Sequence, residues 1–325
     1  MKISNQDLIQ SYIVTQARYD FSVYEKRILY SIIQMFQQLL EGKKLTGKLR
    51  ADKDLFGDYM IYLPIKSCLK DEEDKNHARV KQALLDLESK RFEYEDDKVW
   101  QIIRLVQAPE IIKNDEVMKF RLHYRLVDAF MDFSKGFSKY EFLTAMKFES
   151  TYAMRFYELL SGQTKPITYS IDSLKIMFQV QEKYTKNNDF IRKVIDAAKK
   201  ELDKKSPYSF EYSTIKQGKK ITSIKFYPIF MSENRDPVLE RADLKRQVSP
   251  RWDLDKMVID YLKENFMFSE IEIKNNIDLL ALAQSKLDLM YELSLLKVKA
   301  MKAVNTQGYV IGALKKKLNI NKGNK

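Results

Sequence analysis

Residues 167–230 decide the fold of this chain. They read ITYSIDSLKIMFQV (167–180), QEKYTKNN (181–188), DFIRKVIDAAKKELDKKS (189–206) and PYSFEYSTIKQGKKITSIKFYPIF (207–230). Apolar spacing predicts a short helix, a polar turn, a longer helix over 187–204 and two strands. The side chains that share one face of the longer helix are Phe190, Val194, Ala197, Ala198 and Leu202.

The two strands are joined by Lys216–Gln217–Gly218–Lys219–Lys220. Glycine permits a tight turn here, and three lysines lie at its tip. A helix followed by a basic β-hairpin is the outline of a winged helix, in which one helix enters the major groove and the hairpin contacts the DNA backbone.

The first 134 residues repeat this order of elements. A helix is predicted over 22–40 with a Ser22/Glu25 capping box, then a strand over 59–63, a second helix over 75–90, a hairpin from residue 91 and a strand over 117–124. A further helix is predicted over 4–15. The fold class predicted is therefore α+β, with two winged helices in tandem and a small helical C-terminal region.

Four regions follow from this pattern. Residues 1–134 form the first winged-helix domain. Residues 135–232 form the second winged-helix domain and a bridging segment of one or two helices, in which Ser150–Thr151 is a candidate internal helix start. Residues 233–250 are polar and contain two prolines, which indicates a linker. Residues 251–325 form a helical region with a basic tail.

Composition limits the class of protein. The chain has 325 residues, 45% of them hydrophobic, which suffices for packed cores. Neither an apolar signal core nor a run of about 18 apolar residues occurs, so a soluble, cytoplasmic protein without membrane contact is expected. Cys68 is the only cysteine, which excludes a disulfide within the chain.

The net charge of +12 is unevenly distributed. Residues 1–134 balance 22 basic against 22 acidic residues, whereas 135–232 carry 18 against 10 and 240–325 carry 16 against 11. Clustered positive charge favours a polyanion such as DNA. A solvated, lysine-rich surface explains the charge alone equally well.

The predicted hairpin of the first domain has an acidic tip, with Glu93, Glu95, Asp96 and Asp97. Carboxylates repel phosphate, so this domain is expected to contact DNA only in part and to share in protein–protein contact.

Motifs of the common enzyme classes are missing. The chain has no GxxxxGK[ST] phosphate loop and no GxSxG nucleophile turn, and its two histidines, His77 and His123, are isolated. We therefore expect no enzymatic activity, no cofactor and no metal site. The acidic run 71–74 could bind Mg²⁺, but carboxylates at the start of a helix explain it better.

Twelve residues are predicted to contact DNA, because Asn can bond adenine, Arg guanine and Lys phosphate. They are Lys186, Asn187, Asn188, Arg192, Lys193, Lys199, Lys216, Lys219 and Lys220 in the second domain and Asn76, Arg79 and Lys81 in the first. The alternative is an ordinary basic solvent face. Arg155 is expected to pair with Glu158 or Glu149, and Glu201, close to the apolar face, has no evident partner.

The segments STYAMRFYELL, ITYSIDSLKIMF, KYTKNNDFIRKVIDAAKKELDKKS and IKQGKKITSIKF resemble the iteron-binding plasmid replication initiators of the RepB type. ARYDFSVYEKRILY also resembles the opening of that family, so the resemblance covers about residues 5–230. Two mild departures are Leu202, where Ile is usual, and Lys219, where Arg is usual.

The resemblance implies binding of repeated origin sites in double-stranded DNA by both winged helices. It implies a monomer that helps to open the origin and recruits the host initiator and replicative helicase. It also implies a homodimer, in equilibrium with the monomer and formed mainly through the first domain, that represses its own promoter and so affects plasmid copy control. Two other functions stay open: a winged-helix transcription regulator or primosome-type helicase loader, and a DNA nickase.

Overall fold

The computed structural model describes residues 5–71, 73–95, 99–133, 136–248 and 254–320. Internal contacts group the described residues into two compact units. Residues 5–37, 44–132 and 138–236 form the first unit, which holds both winged helices, and most of the second unit is the chain from residue 237 onward.

The helices, strands and hairpin predicted between residues 22 and 124 are all present in the first winged helix. Its elements are β1 (Asp7–Ser11), α1 (Tyr12–Thr15), α2 (Val23–Leu40), β2 (Arg50–Lys53), β3 (Tyr59–Pro64), α3 (His77–Ser89), β4 (Arg91–Glu95), β5 (Trp100–Arg104), β6 (Gln107–Ile112), β7 (Val117–Leu122) and α4 (Tyr124–Met131). The capping box of α2 is present: the Glu25 carboxylate accepts from the Ser22 amide at 2.6 Å, and the Ser22 hydroxyl accepts from the Glu25 amide at 3.4 Å.

Two sheets organise this domain. A four-stranded antiparallel sheet has the order β2-β3-β7-β6, and β4 and β5 form a separate hairpin that is the wing of the first domain. Of the four residues predicted at its acidic tip, Asp96 and Asp97 lie outside the described residues, and Glu93 and Glu95 belong to β4.

The prediction of a helix over residues 4–15 is wrong for most of that range. Residues Asp7–Ser11 form strand β1, which pairs with the distant strand β8 (Phe137–Glu141), and only Tyr12–Thr15 are helical. Tertiary pairing outweighs helix propensity here, since propensity is a weak preference.

The bridging segment consists of β8, α5 (Phe142–Lys147) and α6 (Thr151–Leu160). The internal helix start predicted at Ser150 is confirmed, because its hydroxyl accepts from the Tyr152 amide at 3.2 Å. Glu201, whose partner could not be predicted, binds the same helix start: its carboxylate accepts from the amides of Glu149 and Ser150 at 2.8 and 3.1 Å.

The second winged helix follows directly. Its elements are β9 (Ile167–Ser170), α7 (Ile171–Met177), a long helix and the strands β10 (Tyr208–Gln217) and β11 (Lys220–Phe230), in the sheet order β10-β11-β9. The long helix, α8, runs from Asn187–Phe190 through a π-helical turn, Ile191–Asp196, to Ala197–Lys205. Gly218 has a φ of +62° at the tip of the β10–β11 hairpin, as the sequence predicts.

Helix α6 is shared by the two winged helices. On one side the Phe156 ring lies 5.3 Å from the rings of Phe178 and Phe210 and 5.4 Å from that of Phe226, in the core of the second domain. On the other side, Glu158 is fully buried against helix α2 of the first domain. One helix therefore contributes to both cores.

Glu158 forms a buried ion pair with Lys26. The carboxylate also accepts from the Tyr30 hydroxyl at 2.7 Å and the Tyr19 hydroxyl at 3.2 Å, and Lys26 donates to Tyr19 at 2.8 Å. Burial lowers the pKa of Lys26 to about 8. Both charges are satisfied by hydrogen bonds, which is what makes their burial tolerable.

Arg155 does not form the ion pair that the sequence predicts. Its guanidinium donates to the carbonyl of Ala17 at 2.9 Å and lies 3.9 Å from the centre of the Tyr19 ring. It is Lys26, seen from the sequence only as part of a predicted helix, that pairs with Glu158.

The first unit contains a second buried cluster of charged residues. Arg235, at the end of the second winged helix, pairs with Asp7 of β1 and Glu141 of β8, each at 3.0 Å. The Glu141 carboxylate also accepts from the Asp236 amide at 3.0 Å. This Arg235 cluster joins the beginning, the middle and the end of the unit.

The described residues beyond 250 are mainly helical, as predicted, and the end of the basic tail, 321–325, lies outside the described residues. Residues 233–250, predicted as a linker, are largely helical as well. Helix α9 occupies Pro237–Val248, and residues 249–250 lie outside the described residues. Proline is tolerated in the first turn of a helix, so it does not mark a linker here. The later helices are α10 (Lys256–Phe266), α11 (Glu270–Asn275), α12 (Ile277–Lys286), α13 (Leu289–Ala300) and α14 (Thr306–Lys317).

Replacing Glu158 by Gln should lower the free energy of unfolding by about 3 kcal/mol at pH 7, because Lys26 would remain buried without its counter-charge. The loss should shrink toward pH 9. The folded-state pKa of Lys26, about 8 in the wild type, would fall further, and a neutral amine needs no counter-charge. Urea denaturation at several pH values measures both effects.

The matched control is Glu110→Gln, since Glu110 forms an exposed pair with Lys119 at 3.0 Å. An exposed pair contributes at most about 1 kcal/mol. Equal losses in the two variants would show that the buried pair is unimportant for stability.

Candidate nucleic-acid interface

The outward face of α8 is basic and accessible. Arg192, Lys193 and Lys200 are exposed, while Phe190, Val194, Ala198 and Leu202 are buried beneath them. Arg192 lies 3.2 Å from Asp189, but its side chain is 71% exposed. Exposed ion pairs of this kind are weak, so Arg192 is available to a ligand.

The second wing presents its lysines as the sequence predicts. Lys216, Lys219 and Lys220 are all exposed at the end of the β10–β11 hairpin, where Gln217 pairs with Lys220. Lys186 and Asn188, which flank the start of α8, are exposed as well. A cationic hairpin beside a cationic helix is the arrangement that a winged helix offers to phosphates.

Asn187 is half-buried, and its side chain is hydrogen-bonded within the protein. Its side-chain amide donates to the carbonyl of Ile221 at 2.8 Å, and its side-chain oxygen accepts from Lys175 at 2.8 Å. Asn187 thus fixes the start of α8 to strand β11 of the wing. Its role is to hold these two elements together.

Lys199 is also engaged within the protein. Its ammonium lies 2.8 Å from Asp203 and 3.0 Å from Glu211, and its side chain is only 20% exposed. Two carboxylates already neutralise this lysine, which makes it a poor candidate for phosphate contact. Lys200, its neighbour on α8, is exposed and was not among the predicted contacts.

Helix α3 of the first domain presents a less basic surface. Arg79 borders a cleft of about 760 Å³ that also contains Asp71, Glu73 and Asp74. The Asn76 side chain donates to Asp74 at 2.6 Å. Lys81 lies at the other edge of the exposed face, beside an apolar groove. Asn76, Arg79 and Lys81 are all exposed, but carboxylates surround two of them.

Other kinds of site were also sought in the described part of the chain. No group of three or more His, Cys, Asp or Glu residues there could hold a metal ion. Among the described helices, none is both long and apolar enough to cross a membrane.

Comparison with known families matches both winged helices. The family model described as initiator replication protein, WH1, matches residues 7–161, and that described as initiator Rep protein, WH2, matches residues 170–228. The chain belongs to the initiator replication protein family. The family resemblance seen in the sequence is thereby confirmed, and so are the two predicted winged-helix domains.

The fold is also seen in a solved structure. The crystal structure of Pi initiator protein in complex with iteron DNA is similar to this chain, with a TM-score of 0.54 and 14% sequence identity. The match covers 69% of this chain and 97% of that chain. At this identity the comparison establishes a shared fold.

Replacing Asn187 by Ala should destabilise the second winged helix, because the buried ammonium of Lys175 and the carbonyl of Ile221 each lose a partner. We expect a loss of about 1–3 kcal/mol in the free energy of unfolding. Thermal or urea unfolding of the purified protein measures it.

Asn188→Ala is the matched control, since Asn188 is the next residue along the chain and is exposed. It should change stability by less than about 0.5 kcal/mol. If both variants unfold like the wild type, Asn187 does not hold the helix to the wing.

Proposed function

We propose that this chain is a plasmid replication initiator that binds repeated origin sequences in double-stranded DNA. The second winged helix is the principal DNA-contacting domain. Helix α8 enters the major groove with Arg192 and Lys193, and the wing contacts the backbone through Lys216, Lys219 and Lys220. Lys186 and Asn188, at the start of α8, are also proposed to contact DNA.

One observation carries this proposal: the exposed cations of the second domain lie on the two elements that a winged helix presents to DNA. Arg192 and Lys193 are exposed on α8, and three lysines are exposed at the wing tip. Family membership and the iteron complex of the similar Pi initiator support the same ligand. The ion-paired Lys199 and the structural Asn187 are left out of the proposed contact.

The first domain contributes a weaker DNA contact in this proposal, through Arg79 and Lys81, and a homodimer contact. The initiator exists in equilibrium between monomer and dimer. The monomer opens the origin and recruits the host initiator and replicative helicase, and the dimer represses its own promoter. It works in the cytoplasm by binding alone, without catalysis or a cofactor.

Replacing Arg192 and Lys193 by Ala should weaken origin binding by at least about tenfold, since a base contact and a phosphate contact are lost together. Both side chains are exposed, so the fold should stay intact. Binding to origin DNA at moderate salt and the circular dichroism of the variant test the two expectations.

The charge-matched control is Lys44→Ala with Lys66→Ala, two exposed lysines of the first domain that lie outside α3 and the wing. This control removes the same charge from a surface outside the proposed interface. If both double variants lose affinity equally, net charge rather than helix α8 determines binding.

Replacing Lys219 and Lys220 by Ala should reduce the dependence of binding on salt. Each lost phosphate contact should lower the slope of log K against log salt by about 0.9. Titrations between low and moderate salt measure this slope. An unaltered slope would mean that the wing does not touch DNA.

Footprinting on the DNA that flanks the gene distinguishes the proposed function from its rivals. Protection of several directly repeated sites supports the initiator. Protection of a single inverted operator alone would instead identify a transcription regulator. A covalent tyrosyl–DNA adduct or a metal-dependent cut would identify a nickase and overturn the proposal.

A further inference from the structure

Helix α8 buries apolar residues at a regular spacing of four. Phe190, Val194, Ala198 and Leu202 all lie without solvent exposure. In a uniform α-helix, residues four apart drift around the axis by about 40° per step, or about 120° from the first of these to the last. The π-helical turn Ile191–Asp196 holds one residue more than an α-helical turn, which sets the later residues back by about 100°. The four side chains therefore stay on one side of the helix.

The same spacing aligns the residues on the opposite side of α8. They are Asn188, Arg192, Asp196, Lys200 and Lys204, and all five are exposed. This set is called the outward stripe below. Its middle member is a carboxylate, with a cation one turn away on each side.

Neighbouring elements occupy the two flanks of α8. On one flank, Lys199 lies 3.0 Å from Glu211 of β10. On the other flank, the Glu201 carboxylate accepts from the amides of Glu149 and Ser150. The outward stripe is therefore the centre of the surface that α8 leaves to a ligand.

Asp196 is an unexpected residue on a surface that meets phosphates, because two negative charges repel each other. A carboxylate one helical turn from a cation commonly pairs with it. Within the described residues, however, neither Arg192 nor Lys200 forms an ion pair with Asp196. The charge of Asp196 thus stays available to whatever approaches the stripe.

Tyr212 of β10 holds this carboxylate in place. Its hydroxyl donates to one oxygen of Asp196 at 2.6 Å. Burial and the neighbouring Asp196 raise the pKa of Tyr212, so the hydroxyl keeps its proton and remains a donor. In the described part of the chain, Tyr212 is the one partner of Asp196. The second carboxylate oxygen can therefore accept from a ligand.

The four bases differ in what they offer to such an acceptor in the major groove. Guanine presents N7 and O6 and thymine presents O4, which are acceptors and repel a carboxylate. Adenine presents an amino donor, but its N7 acceptor lies beside that donor. Cytosine presents the N4 amino group as a donor with no acceptor of its own in the groove. A fixed carboxylate therefore selects cytosine.

We propose that Asp196 is a specificity-determining residue, which accepts a hydrogen bond from the N4 amino group of one cytosine in each repeated site, and that Tyr212 positions it. Because this contact requires α8 in the major groove, it rests on the proposed function. Asp196 lowers affinity for DNA in general through its charge. It regains affinity where the cytosine stands, so it increases the difference between the repeats and other DNA.

Binding of the full chain to a series of DNA duplexes tests the proposal. The series starts from one footprinted repeat and replaces each base pair in turn. For the wild type, replacing one C·G pair should weaken binding about tenfold or more, as expected for a lost base contact. For Asp196→Ala, that single preference should disappear while the preferences at the other pairs remain. The variant should also bind unrelated DNA more tightly, since one repulsive charge is gone.

Two further variants separate readout from charge and from folding. Tyr212→Phe keeps the ring and removes the hydroxyl, and it should reduce the preference at the same C·G pair and at no other. Loss of a merely structural contact would not select one base pair. The control Glu233→Ala removes an exposed carboxylate of the short turn Ser232–Asn234, outside α8 and the wing, and should keep every base preference.

Retention of all base preferences by Asp196→Ala overturns the inference, and so does an equal loss at several pairs. An equal gain in affinity for Asp196→Ala and Glu233→Ala with unchanged preferences would also overturn it, because Asp196 would then act only through net charge. A wild-type chain that binds the repeat and unrelated DNA alike would overturn the proposed function as well. Normal wild-type specificity with an unaffected Asp196→Ala variant overturns the role of Asp196 alone.

Discussion

The structure depends on one buried charge pair, which joins α2 to the shared helix α6. Lys26 of α2 and Glu158 of α6 lie without solvent contact, and three tyrosine and lysine hydrogen bonds complete their shell. Because α6 also places Phe156 in the core of the second domain, the position of this pair fixes the helix on which the second winged helix is assembled. A protein with well-packed apolar residues in place of this pair could be equally stable. A charge pair with matched donors adds specificity, since a shifted α6 would leave both charges buried and unpaired.

The two winged helices share an order of elements but differ in surface chemistry. In the second domain the exposed face of α8 and the wing tip are both cationic. In the first domain, carboxylates adjoin the start of α3 and apolar surface adjoins its middle. The same fold therefore carries two different surfaces. The cationic surface of the second domain is the one proposed above to contact DNA phosphates.

The sequence predicts local features better than tertiary ones. The capping box of α2, the helix start at Ser150 and the glycine turn of the second wing depend on neighbouring residues, and all are present. Strand β1 and helix α9 were not predicted, because distant pairing and the tolerance of proline at a helix start are not visible in a short window. For the site, a helical wheel identifies the exposed Arg192 and Lys193. It cannot show that the Asn187 side chain already accepts a hydrogen bond from Lys175. Nor can it show that Lys199 already forms ion pairs with Asp203 and Glu211.

The Arg235 cluster has a consequence for the order in which the chain can fold during synthesis. Strand β1 needs β8 as its neighbour, and Asp7 pairs with an arginine that is made 228 residues later. At about 5–20 residues per second, a ribosome needs roughly 11–46 s for that interval. During this time the first strand emerges without its partners, and its exposed edge must avoid other chains. The first unit is therefore completed only after both winged helices have left the ribosome.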